Sequence, residues 1–176
     1  MKKMYLYNIE DDYIDYLRTF DNKVMSTKRE NRKYERKYIG VLFEIGEVKY
    51  FAPLSSPKKK HFTMSDAVDF IKIQEKDKLY GVINLNNMIP VKNEVLKKVD
   101  INGEEDAKYK QLLLKEHLIC NRKNEKININ AKKLYKIVTV FKTVRFLKKC
   151  CDFKLLEEKC SLYNEEFIDE KSSDNT

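Results

Sequence analysis

The chain is poor in the two residues that make most tight turns. It has four glycines and three prolines in 176 residues, whereas average usage of the two together is about 12%. Folds that need many tight turns, such as β-sandwiches, and linker-rich or collagen-like chains are therefore disfavoured. Because 42% of the residues are hydrophobic, we expect a folded, helix-rich chain with a packed core. The length suits one domain.

Short runs of β-branched and aromatic residues predict strands in the amino-terminal half. The clearest pair is 38–44 and 48–54, joined by Gly46-Glu47, which predicts an antiparallel hairpin. Ile89-Pro90-Val91 suits an edge or irregular strand, since proline donates no ladder hydrogen bond. The other predicted strands are 4–9, 67–74 and 79–85.

Apolar residues at three-to-four spacing predict four helices. One begins at Asp11-Asp12, whose charges suit the positive end of a helix dipole. The other three lie in the carboxyl-terminal half: apolar positions 109–119, apolar positions 134–147 with Asn130 as a cap, and a helix that begins near Asp152.

Together these elements predict an α+β fold, with a sheet of about five or six strands and the helices mostly after it. Residues 1–165 form the predicted single domain. Residues 166–176 are acidic and end without an apolar anchor, so this tail is predicted to fray. No apolar run approaches the roughly 20 residues of a membrane helix, and no signal-peptide core is present. We expect a cytoplasmic protein without a membrane partner.

Positive charge is concentrated in one part of the chain. There are 36 Lys and Arg against 28 Asp and Glu, a net charge of +8, and residues 28–60 hold ten basic residues against four acidic ones. This distribution favours a phosphate-rich partner. The four cysteines include no CxxC pair, so neither a zinc site nor a disulfide framework is predicted. We expect no metal and no cofactor.

The segment 52–61 (APLSSPKKKH) lies where the second hairpin strand ends. Prolines flank Ser55 and Ser56 and restrict the backbone, so the hydroxyls and the following lysines would be held in a defined loop. Serine hydroxyls bind phosphate or ribose oxygens, and lysine neutralises phosphate charge. Spacing alone leaves three interpretations open: a solvated basic turn, an RNA-binding loop and a catalytic loop.

Several segments resemble the ToxN/AbiQ toxins of type III toxin–antitoxin systems, bacterial endoribonucleases that are neutralised by a repeated RNA pseudoknot. The longest are YIGVLFEI at 38–45, KYFAPLSSPK at 49–58 and INLNNMIP at 83–90. Shorter ones are 20–24, 109–110 and 155–159. The resemblance therefore covers nearly the whole chain.

The resemblance implies metal-independent RNA cleavage, in which a ribose 2′-hydroxyl attacks the adjacent phosphate and leaves a 2′,3′-cyclic phosphate and a 5′-hydroxyl. It implies a compact α+β fold with a highly curved antiparallel sheet, similar to that of the MazF and Kid toxins. The implied partners are a pseudoknot RNA antitoxin, which the toxin processes and joins in a closed assembly, and cellular or phage RNA as substrate. Growth arrest or abortive phage infection would follow.

The resemblance also assigns four catalytic residues. Ser55 and Ser56 match the hydroxyl pair of the family, Lys58 matches its lysine, and Arg36 matches a basic position before the hairpin. Lys58 and Arg36 would counter charge on the phosphorane, and Ser56 would orient the ribose or the phosphate. No pair of carboxylates or histidines at a convincing spacing offers an acid and a base.

Six further residues are predicted to bind RNA. Some family members carry a functional tyrosine four residues before the basic position, where this chain has Arg32, so either Tyr34 takes that role or the role is absent. His61 follows three lysines that would lower its pKa and favour the neutral form, and it suits either direct chemistry or a contact with RNA or the loop. The six are Arg32, Lys33, Tyr34, Lys59, Lys60 and His61.

Two other functions fit the composition. A non-catalytic RNA- or DNA-binding protein would need only the +8 charge and would leave RNA ends intact. A peripheral membrane protein would use the lysine-rich helical region 132–149, but the apolar positions of that region are expected to pack in the core.

Overall fold

A computed structural model describes residues 3–27 and 33–173, with residues 164–173 described by their backbone alone. The strands are β1 (Tyr5–Ile9), β2 (Tyr38–Gly40), β3 (Glu44–Ile45), β4 (Val48–Ser55), β5 (Phe70–Glu75), β6 (Lys78–Asn84), β7 (Ile89–Val91) and β8 (Leu96–Lys98). The α-helices are α1 (Asp11–Phe20), α2 (Lys59–Thr63), α3 (Ala107–Arg122), α4 (Asn124–Thr139), α5 (Val144–Lys149) and α6 (Phe153–Ser173). Two short 3₁₀ helices are Leu85–Asn87 and Asn93–Val95.

Strand β4 lies at the centre of the sheet. It pairs with β2 and β3 along one edge and with β6 and β7 along the other, always antiparallel. Pro53, which has no N–H, lies between the part of β4 that pairs with β7 and the part that pairs with β6. The proline nitrogen therefore lies at the gap between β7 and β6, so no ladder hydrogen bond is lost.

The sheet is open, with the strand order β5-β6-β4-β2-β1-β8, and β3 and β7 pair with β4 outside this path. The predicted α+β class and the hairpin are confirmed. β7 pairs with β4 alone, as an edge strand would. The strand count is eight instead of five or six, because the predicted strand 38–44 is interrupted at 41–43 and because β8 pairs with β1. β8 was not predicted because it is short and ends in two exposed lysines, which do not alternate with apolar residues as strand residues do.

The helices depart from the prediction around α4. This helix begins at Asn124, so Asn130 lies inside it and donates from Nδ2 to the Ala67 carbonyl (3.1 Å) instead of capping. The predicted helix over 134–147 is two helices, because Lys142 adopts a φ of 48°, in the left-handed region that ends a helix. Phe141 and Val144 are 70% and 64% exposed. Part of the predicted core stripe is therefore a surface patch.

Buried polar contacts attach α1 and α6 to the sheet. Tyr13 on α1 donates from its hydroxyl to the Pro90 carbonyl in β7 (2.6 Å). Tyr50 in β4 is fully buried and donates to Oε1 of Glu157 on α6 (2.8 Å). Burial and the carboxylate raise the pKa of Tyr50 well above its ordinary value, so it remains a donor. These contacts fix the helices around the central strand.

Two further expectations concern the carboxyl-terminal region. All four cysteines are buried and free. Helix α6 includes residues 166–173 of the predicted tail, while 174–176 lie outside the described residues. The fraying of this tail stays a prediction.

Within the described ranges, no helix has the length and apolar character that a bilayer crossing requires.

The packing of Gly40 on Phe51 provides a stability test. A Cβ at Gly40 would lie 2.2 Å from Cδ1 of Phe51, which is fully buried. Gly40→Ala should therefore destabilise the protein by roughly 1 to 3 kcal/mol, because neither group has space to move. Urea unfolding measures this.

Gly103→Ala is the matched control. Its Cβ would also meet a close atom, Oδ2 of Asp100 at 2.5 Å, but that atom ends an exposed side chain, whose rotation gives up at most the hydrogen bonds that Oδ1 accepts from the Asn102 and Gly103 backbone N–H groups (3.1 Å each). Because water is able to take over these exposed N–H groups, its cost should not exceed about 1 kcal/mol. Equal unfolding midpoints for the two variants would contradict this account of the core.

Candidate active site

A cavity of about 900 Å³ opens where β4 ends. Its walls come from the segment before β2, the end of β4 and the loop into α2, the start of β5, the turn after β6, and one face of α3. The polar and aromatic side chains that line it are Lys33, Tyr34, Glu35, Arg36, Lys37, Ser55, Ser56, Lys58, Lys60, His61, Asp69, Phe70, Asn84, Asn86, Asn87, Tyr109, Glu116 and Lys149.

The two serines have different environments. Ser55 is the last residue of β4 and its Oγ accepts a hydrogen bond from Nδ2 of Asn84 (3.0 Å), which also lies 3.3 Å from the Pro53 carbonyl. Ser56 is exposed, and no described group hydrogen-bonds to its hydroxyl. Ser55 is thus fixed by the neighbouring strand β6, whereas the Ser56 hydroxyl is available to a ligand.

Arg36 is positioned by backbone carbonyls. Its Nη1 donates to the Leu54 carbonyl (3.0 Å) and its Nε donates to the Ser26 carbonyl (3.1 Å). The guanidinium is therefore held beside the end of β4, next to Ser55. A planar cation fixed in this way presents a defined positive charge to the cavity.

His61, in α2, fixes the loop between β4 and α2. Its ring Nδ1 accepts from the backbone N–H of Lys58 (2.9 Å), and the backbone N–H of His61 donates to the Lys58 carbonyl (2.8 Å). Burial lowers the pKa of His61, and the charges of Lys60, Lys58 and Lys72 lower it further. The predicted direction of the shift is confirmed, although burial is the larger cause. The neutral ring is engaged in holding the loop that carries Lys58.

Lys33 and Tyr34 form a cluster with the start of α3. Lys33 Nζ lies 2.6 Å from Oδ2 of Asp106, and the Tyr34 hydroxyl donates to the same oxygen. Hydrogen bonds from Lys33, Tyr34 and the Tyr109 backbone hold the pKa of Asp106 well below its usual range. The Tyr34 ring stacks on Tyr109 with centroids 3.5 Å apart and an interplanar angle of 1°. One face of the Tyr34 ring is thus covered by the protein.

The structure brings most of the predicted site residues together. All four predicted catalytic residues line the cavity, as do four of the predicted RNA-binding residues, namely Lys33, Tyr34, Lys60 and His61. Lys59 is exposed at the start of α2 and does not line the cavity. Arg32 lies outside the described residues. Lys33 is paired with Asp106, so a phosphate would compete with that carboxylate for it.

Several lining residues were not predicted. Asn84, Asn86 and Asn87 follow or end β6, and Lys149 Nζ pairs with Oδ2 of Asp69 (2.7 Å) across the cavity wall. The three asparagines lie in the segment 83–90 that carries the family resemblance, but neither they nor Lys149 show a local pattern that marks a site, because these residues come from separate elements that only the fold brings together.

Glu116 on α3 is also absent from the prediction, although the sequence held a signal. It is 7% exposed, and burial raises the pKa of its carboxyl to about 8. A charged residue inside an apolar helical stripe is unusual, since burial of a carboxylate is costly without a partner. Among the residues described, no group of three or more His, Cys, Asp and Glu is arranged to hold a metal ion.

Glu116→Gln should make stability less dependent on pH. The wild-type carboxyl ionises near pH 4.5 when unfolded but near pH 8 when folded, so its burial destabilises the protein progressively as the pH rises between these values. Between pH 5 and pH 9 the variant should gain up to roughly 4 kcal/mol relative to wild type. Tyr109 and Cys120, whose pKa values Glu116 raises together with burial, stay neutral throughout.

Urea unfolding at the two pH values checks this expectation. Glu75→Gln is the control, because Glu75 is a partly exposed carboxylate whose pKa is lowered by Lys115 and Arg122 on the same helix α3. A constant difference between Glu116→Gln and wild type from pH 5 to pH 9 would refute the raised pKa.

A family model matches most of the chain. The model described as Toxin ToxN, type III toxin-antitoxin system, matches residues 5–161. Two curated relatives cover most of the chain. Endoribonuclease ToxN of Bacillus thuringiensis subsp. kurstaki is 39% identical over 166 residues, covering 90% of this chain and 84% of the relative. Endoribonuclease AbiQ of Lactococcus lactis subsp. lactis is 31% identical over 168 residues, covering 90% and 88%.

Solved structures agree with these sequence matches. One, from work on "selective toxin inhibition by a non-coding RNA pseudoknot", superposes with a TM-score of 0.84 at 35% identity and covers 93% of this chain and 99% of that one. Another is AbiQ, described as "a lactococcal anti-phage endoribonuclease", with a TM-score of 0.82 at 27% identity and coverage of 93% and 99%. The residues matched by the family model, 5–161, include every residue that lines the cavity.

Proposed function

We propose, because the chain belongs to the ToxN toxin family of type III toxin–antitoxin systems, that its cavity cleaves RNA by attack of a ribose 2′-hydroxyl on the adjacent phosphate. As an endoribonuclease of this family, the chain has to bind a polyanion and stabilise charge at one phosphate. The observation that carries the proposal is the meeting of three groups in one cavity: the exposed Ser56 hydroxyl, the exposed Lys58 ammonium and the fixed Arg36 guanidinium.

Two cations would stabilise the transition state. Attack by the 2′-oxygen makes a pentacoordinate phosphorane that carries more negative charge on its non-bridging oxygens than the starting phosphate does. Arg36 is already oriented by two carbonyl acceptors, so little reorganisation is needed when the charge develops. Lys58 has an exposed side chain without a described polar partner, and it would move to a phosphate oxygen.

The serines would act by positioning. Ser56 has a free hydroxyl that would bind the phosphate or the ribose, whereas Ser55 is held by Asn84 and would fix the end of β4. A serine hydroxyl is a poor free base at neutral pH, so Ser56 orients the reacting groups first and relays a proton second. The products would be a 2′,3′-cyclic phosphate and a 5′-hydroxyl. Because side-chain cations supply the charge stabilisation, the reaction would need no metal.

The proposed partners follow from the relatives. A solved neighbour concerns toxin inhibition by an RNA pseudoknot, and AbiQ is described as anti-phage. For this chain we therefore infer a pseudoknot RNA antitoxin, a closed toxin–RNA assembly in the cytoplasm, and phage or cellular RNA as substrate. The relation of its sheet to the curved sheet of MazF and Kid stays a prediction. The lysines of region 132–149 would serve either solubility or the binding of antitoxin RNA.

Ser56→Ala and Lys58→Ala test the site. Each should slow cleavage by about 10²-fold or more, since each removes a group that acts on the reacting phosphate. The measurement is cleavage of total bacterial RNA by purified protein in EDTA, with sequencing of the new ends and detection of cyclic phosphate. Both variants should also lose growth arrest in cells.

Lys97→Ala is the matched control, because Lys97 is an exposed lysine on β8 that does not line the cavity. It should cleave like wild type. If wild-type protein binds RNA in a salt-sensitive way but leaves every RNA end intact, a non-catalytic RNA-binding protein is the correct description. If Ser56→Ala and Lys58→Ala cleave normally, the chemistry lies elsewhere.

A further inference from the structure

Glu116 is a buried acidic group in the cavity that the proposed reaction does not yet use. It lies on the face of α3 that also carries Tyr109 and Leu112, since positions 109, 112 and 116 follow helical spacing, and all three line the cavity. Its side chain is 7% exposed, and the described residues give its carboxyl no hydrogen-bond donor and no ion-pair partner. A buried carboxyl without a partner is rare, because it is costly to stability.

The position of the carboxyl depends on Gly81 in β6. A Cβ at Gly81 would lie 2.6 Å from Oε1 of Glu116 and 3.3 Å from the carbonyl oxygen of Ser55. The absence of a side chain at Gly81 therefore makes room for the carboxyl directly beside the end of β4. Glu116 thus reaches the strand end that carries the serine pair.

Other cavity groups are less suited to give a proton. Asp69 is ion-paired with Lys149, and the Tyr34 hydroxyl already donates to Asp106. His61 Nδ1 accepts a backbone N–H, and its lowered pKa leaves the ring neutral. Cleavage of this type requires a proton for the departing 5′-oxygen, because an alkoxide is a very poor leaving group in water.

We propose that Glu116 is the catalytic residue that protonates the departing 5′-oxygen. The inference rests on the proposed function. In this step the 2′-oxygen forms a bond to phosphorus, its proton passes to water, and the bond from phosphorus to the 5′-oxygen breaks. The 5′-oxygen takes the proton of the Glu116 carboxyl and leaves as a 5′-hydroxyl. The carboxylate then regains a proton from water, so no further reactant is needed.

The protonation state of Glu116 is consistent with this role. Burial raises the pKa of its carboxyl to about 8, so it carries a proton at neutral pH. Raised carboxyl pKa values of this kind are common for general acids, which have to hold a proton near the working pH.

A substrate with a better leaving group separates the roles. Once the cleavage position is mapped with wild-type protein, a short RNA across it is made in two forms, one natural and one with sulfur in place of the bridging 5′-oxygen. A thiolate leaves without protonation, because thiols ionise at about pH 8.5. Glu116→Gln should cut the natural RNA about 10²- to 10³-fold more slowly than wild type, and the sulfur-containing RNA within about fivefold of it.

Two outcomes would overturn the proposal. Equal rates for Glu116→Gln and wild type on natural RNA would show that no proton comes from this group. An equal slowing on both RNAs would show that Glu116 acts before bond cleavage to the leaving group, as a base or through structure. Failure of wild type to cleave any RNA would instead refute the proposed function, so the two failures are distinguishable.

Binding measurements and a control variant exclude a folding defect. Glu116→Gln should bind an RNA with a 2′-deoxy sugar at the cleavage position as tightly as wild type, within about twofold, because amide and protonated carboxyl have similar size and polarity. Weakened binding of that RNA would point to a structural role and against the proposal. Glu75→Gln, on the strand packed against the same helix and outside the cavity, should match wild type on both RNAs.

Discussion

The backbone of β4 is hydrogen-bonded along both edges, and the geometry of the cavity follows from this. Its last two residues, Leu54 and Ser55, pair with β6, while the Leu54 carbonyl also accepts from Arg36. Asn84 at the end of β6 binds Ser55 in turn. A strand held on both sides does not slip in register, so the serine pair that follows it has a fixed origin. The loop itself is then closed by the two backbone contacts of His61 with Lys58.

Charge in the cavity is asymmetric in a way that suits a phosphate chain. Asp106 and Asp69 are each paired with a lysine, while the Lys58 and Lys60 side chains are exposed at the loop and at α2. Carboxylates near a polyanion site would repel the ligand unless they are neutralised. Among the carboxylates that line the cavity, Asp69 is neutralised by its ion pair and Glu116 by a proton, and Asp106, just outside the lining, is neutralised by Lys33. The positive field of the loop therefore remains available to RNA.

Burial decides which titratable residue takes which role. His61 and Glu116 are both nearly inaccessible, yet burial lowers the pKa of the histidine and raises that of the glutamate. Each is thus neutral near pH 7, for the same physical reason. The Nδ1 of the histidine accepts from the backbone of the loop that carries Lys58, whereas the glutamate keeps its proton and has no described partner. An acid is therefore found on α3, distant in sequence from the serines and the lysine.

The amino-acid sequence alone specifies the hairpin, the α+β class and the position of the serine–lysine loop, because each depends on local patterns: alternating strand residues, helical spacing and flanking prolines. It did not determine β8, the break between α4 and α5, or the contribution of Asn84, Lys149 and Glu116 to the cavity. Those depend on which elements lie next to one another and on how deeply each side chain is buried. Desolvation is a property of the packed molecule, so it is the packing of α3 against β6 that places a glutamate from an apolar stripe at the cavity.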